Sequence, residues 1–368
     1  MRETVTRRDF LKTGLLGSTG VVLVPRRLAG GAQAALPAEG ICVTLANHWS
    51  YIGIGWQLGI ESSVVSVTDA MEMADRPPHV KTLINLDARA YEFMAEKFPE
   101  VAERLKRYLA AGKVELIGGT YSQPMGTMYS GESNIRQIAW GREVIRKALG
   151  YEMVTFLEEE DFSHPQVPQM VAGAGFRYAS LAQADTWGHT GIPLLEFNVI
   201  NWQGKDGTTV PTIPKNSLFG DSPDLKKLAS SPGFQKLREL GKPLIFAWEE
   251  FGWEPEDKPA YLKAPEKYQK LAEESRAEFV TLKEYLDKYG PNPKEPLYLN
   301  MDAWNKLLTW GLGGDQLRIL DRKVEGLLLA AERFDAIAGA LGEATHENRL
   351  EGAWRDLLTA QSHDVGLW

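Results

Sequence analysis

Two short acidic stretches and two histidines hold most of the chemistry this chain can do. The first stretch is Glu158-Glu159-Glu160-Asp161, followed by Phe162-Ser163-His164 and Pro165-Gln166-Val167-Pro168. Residues 153–157 just before it form an apolar run that reads as a buried strand, and the prolines after it suit the first turn of a helix. Acids at the carboxyl end of a strand, before a βα turn, lie where barrel and open-sheet enzymes place reacting groups. Like charges packed this closely need a cation or a proton to relieve them, whereas a solvated acidic loop is the plain alternative. The second stretch, Glu249-Glu250, ends another apolar run and is surrounded by Trp248, Phe251 and Trp253. Carboxylates among aromatics are placed for the raised pKa that a general acid needs. His48 follows the first strand-like run in Ala46-Asn47-His48-Trp49-Ser50, and His363 precedes Asp364 near the end of the chain. Imidazole at a strand end suits zinc and similar borderline divalent metals.

Strands and helices must alternate to bring these groups together, and they do. Apolar strand-like runs occur at 41–45, 80–86, 114–117, 153–157, 178–181, 243–247 and 278–281. Helix-period segments at 88–111, 132–149, 168–174, 224–240 and 265–276 separate them. This order predicts a largely parallel sheet with right-handed crossovers, closed or nearly closed as a seven-stranded β/α barrel; a doubly wound open sheet is the alternative. Residues 192–219 break the rhythm with Pro, Gly, Asn and Thr and read as a hairpin over one mouth. From 314 the pattern is helical, with long amphipathic segments at 315–341 and 346–362.

Composition narrows the function classes. The 368 residues are 43% hydrophobic and 24% charged, which allows one large barrel and a helical appendage. A net charge of -8 gives no basic footprint for nucleic acid. The single cysteine, Cys42, excludes an intrachain disulfide and reads as a buried thiol. Eleven Trp and twelve Tyr suggest a surface able to stack on flat apolar faces, sugars among them, although large cores use such residues too; Trp49 and Trp253 are the candidates for substrate contact.

The N-terminus reads as an export signal. Thr6-Arg7-Arg8-Asp9-Phe10-Leu11-Lys12 matches a twin-arginine consensus, and Ala32-Gln33-Ala34 is a cleavage pattern. Three regions are therefore expected: a signal peptide over 1–34, a barrel over 35–300 and a helical segment over 301–368. The mature protein is expected in the periplasm, not held in a membrane, after passage through the twin-arginine translocase.

Several pieces in order resemble one family. Gly118-Gly119-Thr120-Tyr121, Glu132-Ser133-x-Ile135-Arg136-Gln137, the acidic turn with Pro168-Gln169, Glu249-Glu250-Phe251, Thr281-Leu282-x-x-Tyr285, Trp310-Gly311-Leu312 through Arg322, and Gln361-Ser362-His363-Asp364 look like glycoside hydrolase family 38, the α-mannosidase family. The resemblance spans about Gly40 to the end. It implies a seven-stranded β/α catalytic domain followed by helices, a carbohydrate substrate and a zinc ion or another divalent metal. Carried over by position, it implies Glu160 as nucleophile, with Glu159 and Asp161 as alternates, and Glu250 as acid/base, with Glu249 as alternate. It implies His48, His363 and Glu160 as metal ligands, and Asp364 with the two tryptophans on the substrate. The departures are Ser50, where the family has a ligand aspartate, and glutamates in place of both catalytic aspartates. Each glutamate reaches one methylene further, which describes a coherently altered site or one that has lost its reaction. A non-catalytic carbohydrate-binding relative is the second reading. A polysaccharide deacetylase-like hydrolase is the third, although its D-D and H-x-x-x-H pairs are missing.

Overall fold

A computed structural model describes residues 40–52, 55, 58–157, 164–183, 192–220, 231–250, 260–300 and 314–366. The chain runs β1 (Cys42–Trp49), α1 (Ser62–Asp75), β2 (Thr82–Leu86), α2 (Ala88–Lys97), α3 (Pro99–Ala110), β3 (Val114–Gly118), α4 (Gly131–Leu149), β4 (Thr155–Leu157), α5 (Val167–Gly173) and β5 (Tyr178–Ser180). It continues with β6 (Ile200–Gln203), β7 (Thr209–Ile213), β8 (Phe219–Gly220), α6 (Pro232–Glu239), β9 (Leu244–Glu250), α7 (Ala260–Lys263), α8 (Pro265–Ser275), β10 (Glu278–Phe279), α9 (Leu282–Tyr289), β11 (Leu297–Tyr298), α10 (Gly314–Ala340) and α11 (Glu347–Ala360). Each of the seven expected apolar runs contains a strand. The helix expected over 88–111 divides into α2 and α3 at Phe98, because Pro99 pushes the residue before it out of the helical region (φ -134, ψ 59).

β1 is the hub. It pairs in parallel with β2 on one side, with β9 on the other, and with β10 at its start. All eight of its residues are buried, as expected of a parallel strand covered on both faces. Period-2 alternation sorts its side chains. Cys42 and Ala46 join Leu83, Ile117, Leu157, Phe246 and Trp248 on one face. Val43 and Leu45 join Ile245, Ala247 and Phe234 on the other.

Among the described residues the sheet does not close. Its order is β11-β6-β7-β5-β4-β3-β2-β1-β9-β8, with β10 paired beside the start of β1. The closed seven-stranded barrel expected from the alternation is thus corrected to an open, mostly parallel sheet. The physical reason is the inserted hairpin. β6 and β7 pair antiparallel, and β7 takes the edge of β5. β11 then adds outside β6, so the edge a barrel would have used for closure is already occupied.

The final helix is knitted to the strand ends by buried polar groups. Gln137 of α4 donates through Nε2 to the Leu358 carbonyl (2.8 Å) and lies 3.2 Å from Gln361 Oε1. Gln361 donates in turn to Ser133 Oγ (2.9 Å) and to Asp321 Oδ1 of α10 (2.8 Å). Arg136 forks onto Glu332 of α10 (3.0 and 2.9 Å) and stacks on Trp354 of α11 at 3.9 Å. Gly141 allows α4 to approach so closely: a Cβ there would meet Thr120 C at 2.5 Å and Gly119 O at 2.6 Å.

Candidate active site

The site is built at the carboxyl ends of β1, β2 and β9. Backbone register sets His48 opposite Asn85 of β2 and opposite Glu250 of β9, and Asn47 opposite Glu249. His48 is 3% exposed, and its ring lies over Trp248 at 5.7 Å, 24° from parallel. Its Nδ1 is 2.7 Å from Asn85 Oδ1. The Asn85 amide is oriented by its own Nδ2, which faces the Ile117 and Leu157 carbonyls at 3.3 and 3.4 Å. Oδ1 must therefore accept, and His48 must carry its proton on Nδ1. Gly118 (φ +122) makes room for that amide, since a Cβ there would come 2.9 Å from Nδ2.

His363 repeats the arrangement from the other end of the chain. Its Nδ1 donates to the Gln123 carbonyl (2.7 Å), which also accepts from its backbone N–H (3.0 Å). Gln123 reaches back to the Trp49 carbonyl (3.2 Å), and Pro124 bridges to Ser362, so the tail is fastened beside β1. His363 Nε2 is 3.6 Å from Asp364 Oδ1, and Asp364 Oδ2 is 2.8 Å from Ser50 Oγ. Contacts therefore run from His363 through Asp364 to Ser50, two residues beyond His48.

Sequence reasoning missed Asn85, Gln123 and Asp87. Asp87 is 1% exposed and accepts from the amides of Tyr51 (2.6 Å) and Ala90 (2.8 Å), capping α2. Burial pushes its carboxyl up to about 6, while those amide hydrogen bonds and the nearby His48 and Arg89 pull the other way. A polar residue straight after the apolar run 80–86 was the available signal. A helix cap explains such a residue equally well, so the sequence alone did not single it out.

Among the expected site residues, His48, His363 and Asp364 are brought to one end of the sheet. Glu249 and Glu250 complete β9 by their backbone. Trp49 is 0% exposed, sits in the core and donates its indole N–H to Ser62 (2.7 Å), so it packs the fold and offers no face for a sugar. Glu159, Glu160, Asp161 and Trp253 lie outside the described residues.

Both imidazoles suit a metal. Each gives Nδ1–H to an oxygen, which leaves Nε2 as the lone-pair nitrogen in the tautomer and orientation that metal-bound histidines adopt. Among the described residues, no three His, Cys, Asp or Glu side chains gather as a metal-holding group.

Comparison with known proteins bears on this geometry. Residues 57–237 match the glycosyl hydrolases family 38 N-terminal domain. Alpha-mannosidase G of Dictyostelium discoideum is 28% identical over 151 residues, 40% of this chain and 14% of that protein. Human alpha-mannosidase 2C1 is 24% identical over 194 residues, 52% of this chain and 18% of that one. The matched part is thus a small fraction of the length of these curated relatives. An alpha-mannosidase structure from Enterococcus faecalis superposes with a TM-score of 0.60 at 18% identity, covering 88% of this chain and 38% of that chain. A GH57 branching enzyme from Thermococcus kodakaraensis gives 0.60 at 16% identity, covering 88% and 84%. At these identities the structures attest a shared fold. Over residues 57–237 the chain is similar to the N-terminal domain of the family 38 glycosyl hydrolases.

Proposed function

We propose that this protein is a retaining glycosidase acting on α-mannosides, assisted by a zinc ion or another divalent metal. The observation that carries the reading is the register of β1 with β9, which pairs His48 with Glu250 at adjacent strand ends. Glu160, three residues after the end of β4 in the sequence, is the nucleophile that forms the glycosyl-enzyme bond. Glu250 protonates the leaving oxygen and then activates water, and the two carboxyls would stand roughly 5–5.5 Å apart. His48 and His363, their protons fixed on Nδ1 by Asn85 and Gln123, would hold the metal together with an acid of the 159–161 run. When bound, such a metal supplies Lewis-acid stabilisation of charge at the sugar hydroxyls. Asp364, hydrogen-bonded by Ser50, would accept from those hydroxyls. The proposed setting is the periplasm, reached through the twin-arginine translocase.

The test is hydrolysis of para-nitrophenyl α-mannoside by the zinc-loaded mature chain, followed with retention of configuration by NMR. Glu160→Gln and Glu250→Gln should each lower kcat/KM by at least about 10³-fold with melting unchanged. Parental rates in both variants would remove these carboxyls from the mechanism and turn attention to Glu159, Asp161 and Glu249. A second reading, carbohydrate binding without turnover, draws on Ser50, which holds Asp364 by a neutral hydroxyl where a further anionic ligand would serve catalysis. Sugar binding without hydrolysis in the metal-loaded parent would favour it.

A further inference from the structure

One residue beside the site holds an unfavourable backbone conformation. Among the described residues, three that are not glycine have positive φ: His79 (59°), Gln123 (54°) and Arg276 (49°). Arg276 ends α8, where a left-handed residue serves as a cap, and His79 lies in the turn between α1 and β2. Gln123 ends no helix. It is buried in the loop after β3, five residues beyond the strand. A left-handed backbone is costly for a residue with a Cβ, and such residues gather where a site needs them.

Gln123 is held there from several sides. Its N–H donates to Thr120 Oγ1 (3.0 Å), and its side-chain amide donates to the Trp49 carbonyl at the end of β1 (3.2 Å). Its carbonyl accepts the backbone N–H of His363 (3.0 Å) and lies 2.7 Å from Nδ1 of the same residue. The residues on either side grip the tail as well: Ser122 Oγ donates to the Leu358 carbonyl, and Pro124 bridges to Ser362. Gln123 Oε1, in contrast, is buried without a hydrogen-bond partner. This residue therefore carries an unpaired acceptor as well as a disfavoured backbone, and both cost stability. Returning φ to the ordinary negative range would rotate the peptide that bears the carbonyl and take it away from His363.

We propose that Gln123 is a positioning residue. Its left-handed backbone aims the carbonyl that fixes the His363 proton on Nδ1, and so presents Nε2 as the nitrogen for a metal. The use of that nitrogen rests on the metal-assisted reading above; the fixing of the proton does not.

The test is nitrogen NMR on the metal-free protein with ring-labelled histidines, at about pH 8, above the ordinary imidazole range. The His363 signals are assigned by their loss in His363→Gln, and zinc is titrated into the same proteins by calorimetry. In the parent, His363 should carry its proton on Nδ1. Gln123→Gly can hold the left-handed backbone without penalty, and it should keep that tautomer and the parental zinc affinity. Gln123→Val, whose branched side chain disfavours this region, should shift His363 toward Nε2–H. Zinc should then bind at least about tenfold more weakly, as when a ligand histidine loses its outer partner. His48, held by Asn85, should keep its tautomer throughout, which separates a lost carbonyl from a loosened fold. If the valine variant does not fold, Gln123→Ala, which meets a milder form of the same penalty, should show the shift in part. A parental His363 protonated on Nε2, a tautomer lost in the glycine variant, or one retained in the valine variant would each overturn the proposal. If the parent binds no zinc, the metal-assisted reading fails on its own, and the tautomers still decide the role of Gln123.

Discussion

Replacing Asp87 by Asn should remove a pH dependence of stability between about pH 4 and pH 6. Burial pushes this carboxyl up from 3.8 to about 6 in the folded protein. Between those values the folded chain holds a proton that the unfolded chain has released. The stability Asp87 contributes is therefore fully present below 3.8 and falls as pH rises toward 6. From 3.8 to about 6 is a roughly 150-fold change in proton affinity, about 3 kcal/mol at neutral pH. Asn removes that penalty, but its side chain can accept from only one of the two amides Asp87 now serves. It also turns a donor toward the other, a loss of about 1–3 kcal/mol. At pH 7 the two effects offset, and the variant should lie within about 1 kcal/mol of the parent. At pH 4 only the loss remains, and the variant should be weaker by about 2 kcal/mol. Urea unfolding at several pH values between these limits measures the difference directly. Glu115, another carboxyl raised chiefly by burial, is present in both proteins and cancels. A parent–variant difference that stays constant within about 0.5 kcal/mol across the range would show that Asp87 titrates normally and refute the reasoning.

Three further outcomes are expected. Gly141→Ala should cost about 3 kcal/mol in chemical denaturation, because its Cβ would meet the backbone of Thr120 and Gly119 at 2.5 and 2.6 Å; a loss under about 1 kcal/mol would mean that α4 can shift freely. Deleting residues 363–368 should abolish tight zinc binding in calorimetry while the sheet melts as before, since Gln137 and Gln361 hold the end of α11 independently; surviving affinity would exclude His363 as a ligand. Changing Arg7 and Arg8 to Lys should leave unprocessed precursor in the cytoplasm on immunoblots, and unchanged processing would exclude the twin-arginine route.

Much of the fold is legible in the chain because parallel strands buried on both faces announce themselves as apolar runs. The hub strand and its neighbours could be read this way, and the 192–219 hairpin by the Pro, Gly, Asn and Thr that interrupt the rhythm. Closure could not be, since it depends on which edge the hairpin takes, and no local pattern records that. The two-residue strands β8 and β11 are too short to carry a period of their own. At the site, histidines and acids stood out by type. Asn85 and Gln123 did not, because an amide that fixes an imidazole tautomer looks in sequence like any other amide. Trp49 erred in the opposite direction: an aromatic beside a candidate ligand suggested a sugar platform, and tertiary packing took it into the core instead.

Ser50 stands one residue beyond the β1 ladder, and its hydroxyl meets the Asp364 carboxylate at 2.8 Å. An aspartate in its place would set two carboxylates face to face, an arrangement that needs a cation or a shared proton. The folded state would then be coupled to metal supply. With serine, Asp364 has a neutral partner that needs no cation, so folding at this point would not depend on metal supply. Under the metal-assisted reading proposed above, occupancy would then be set by what the surroundings provide.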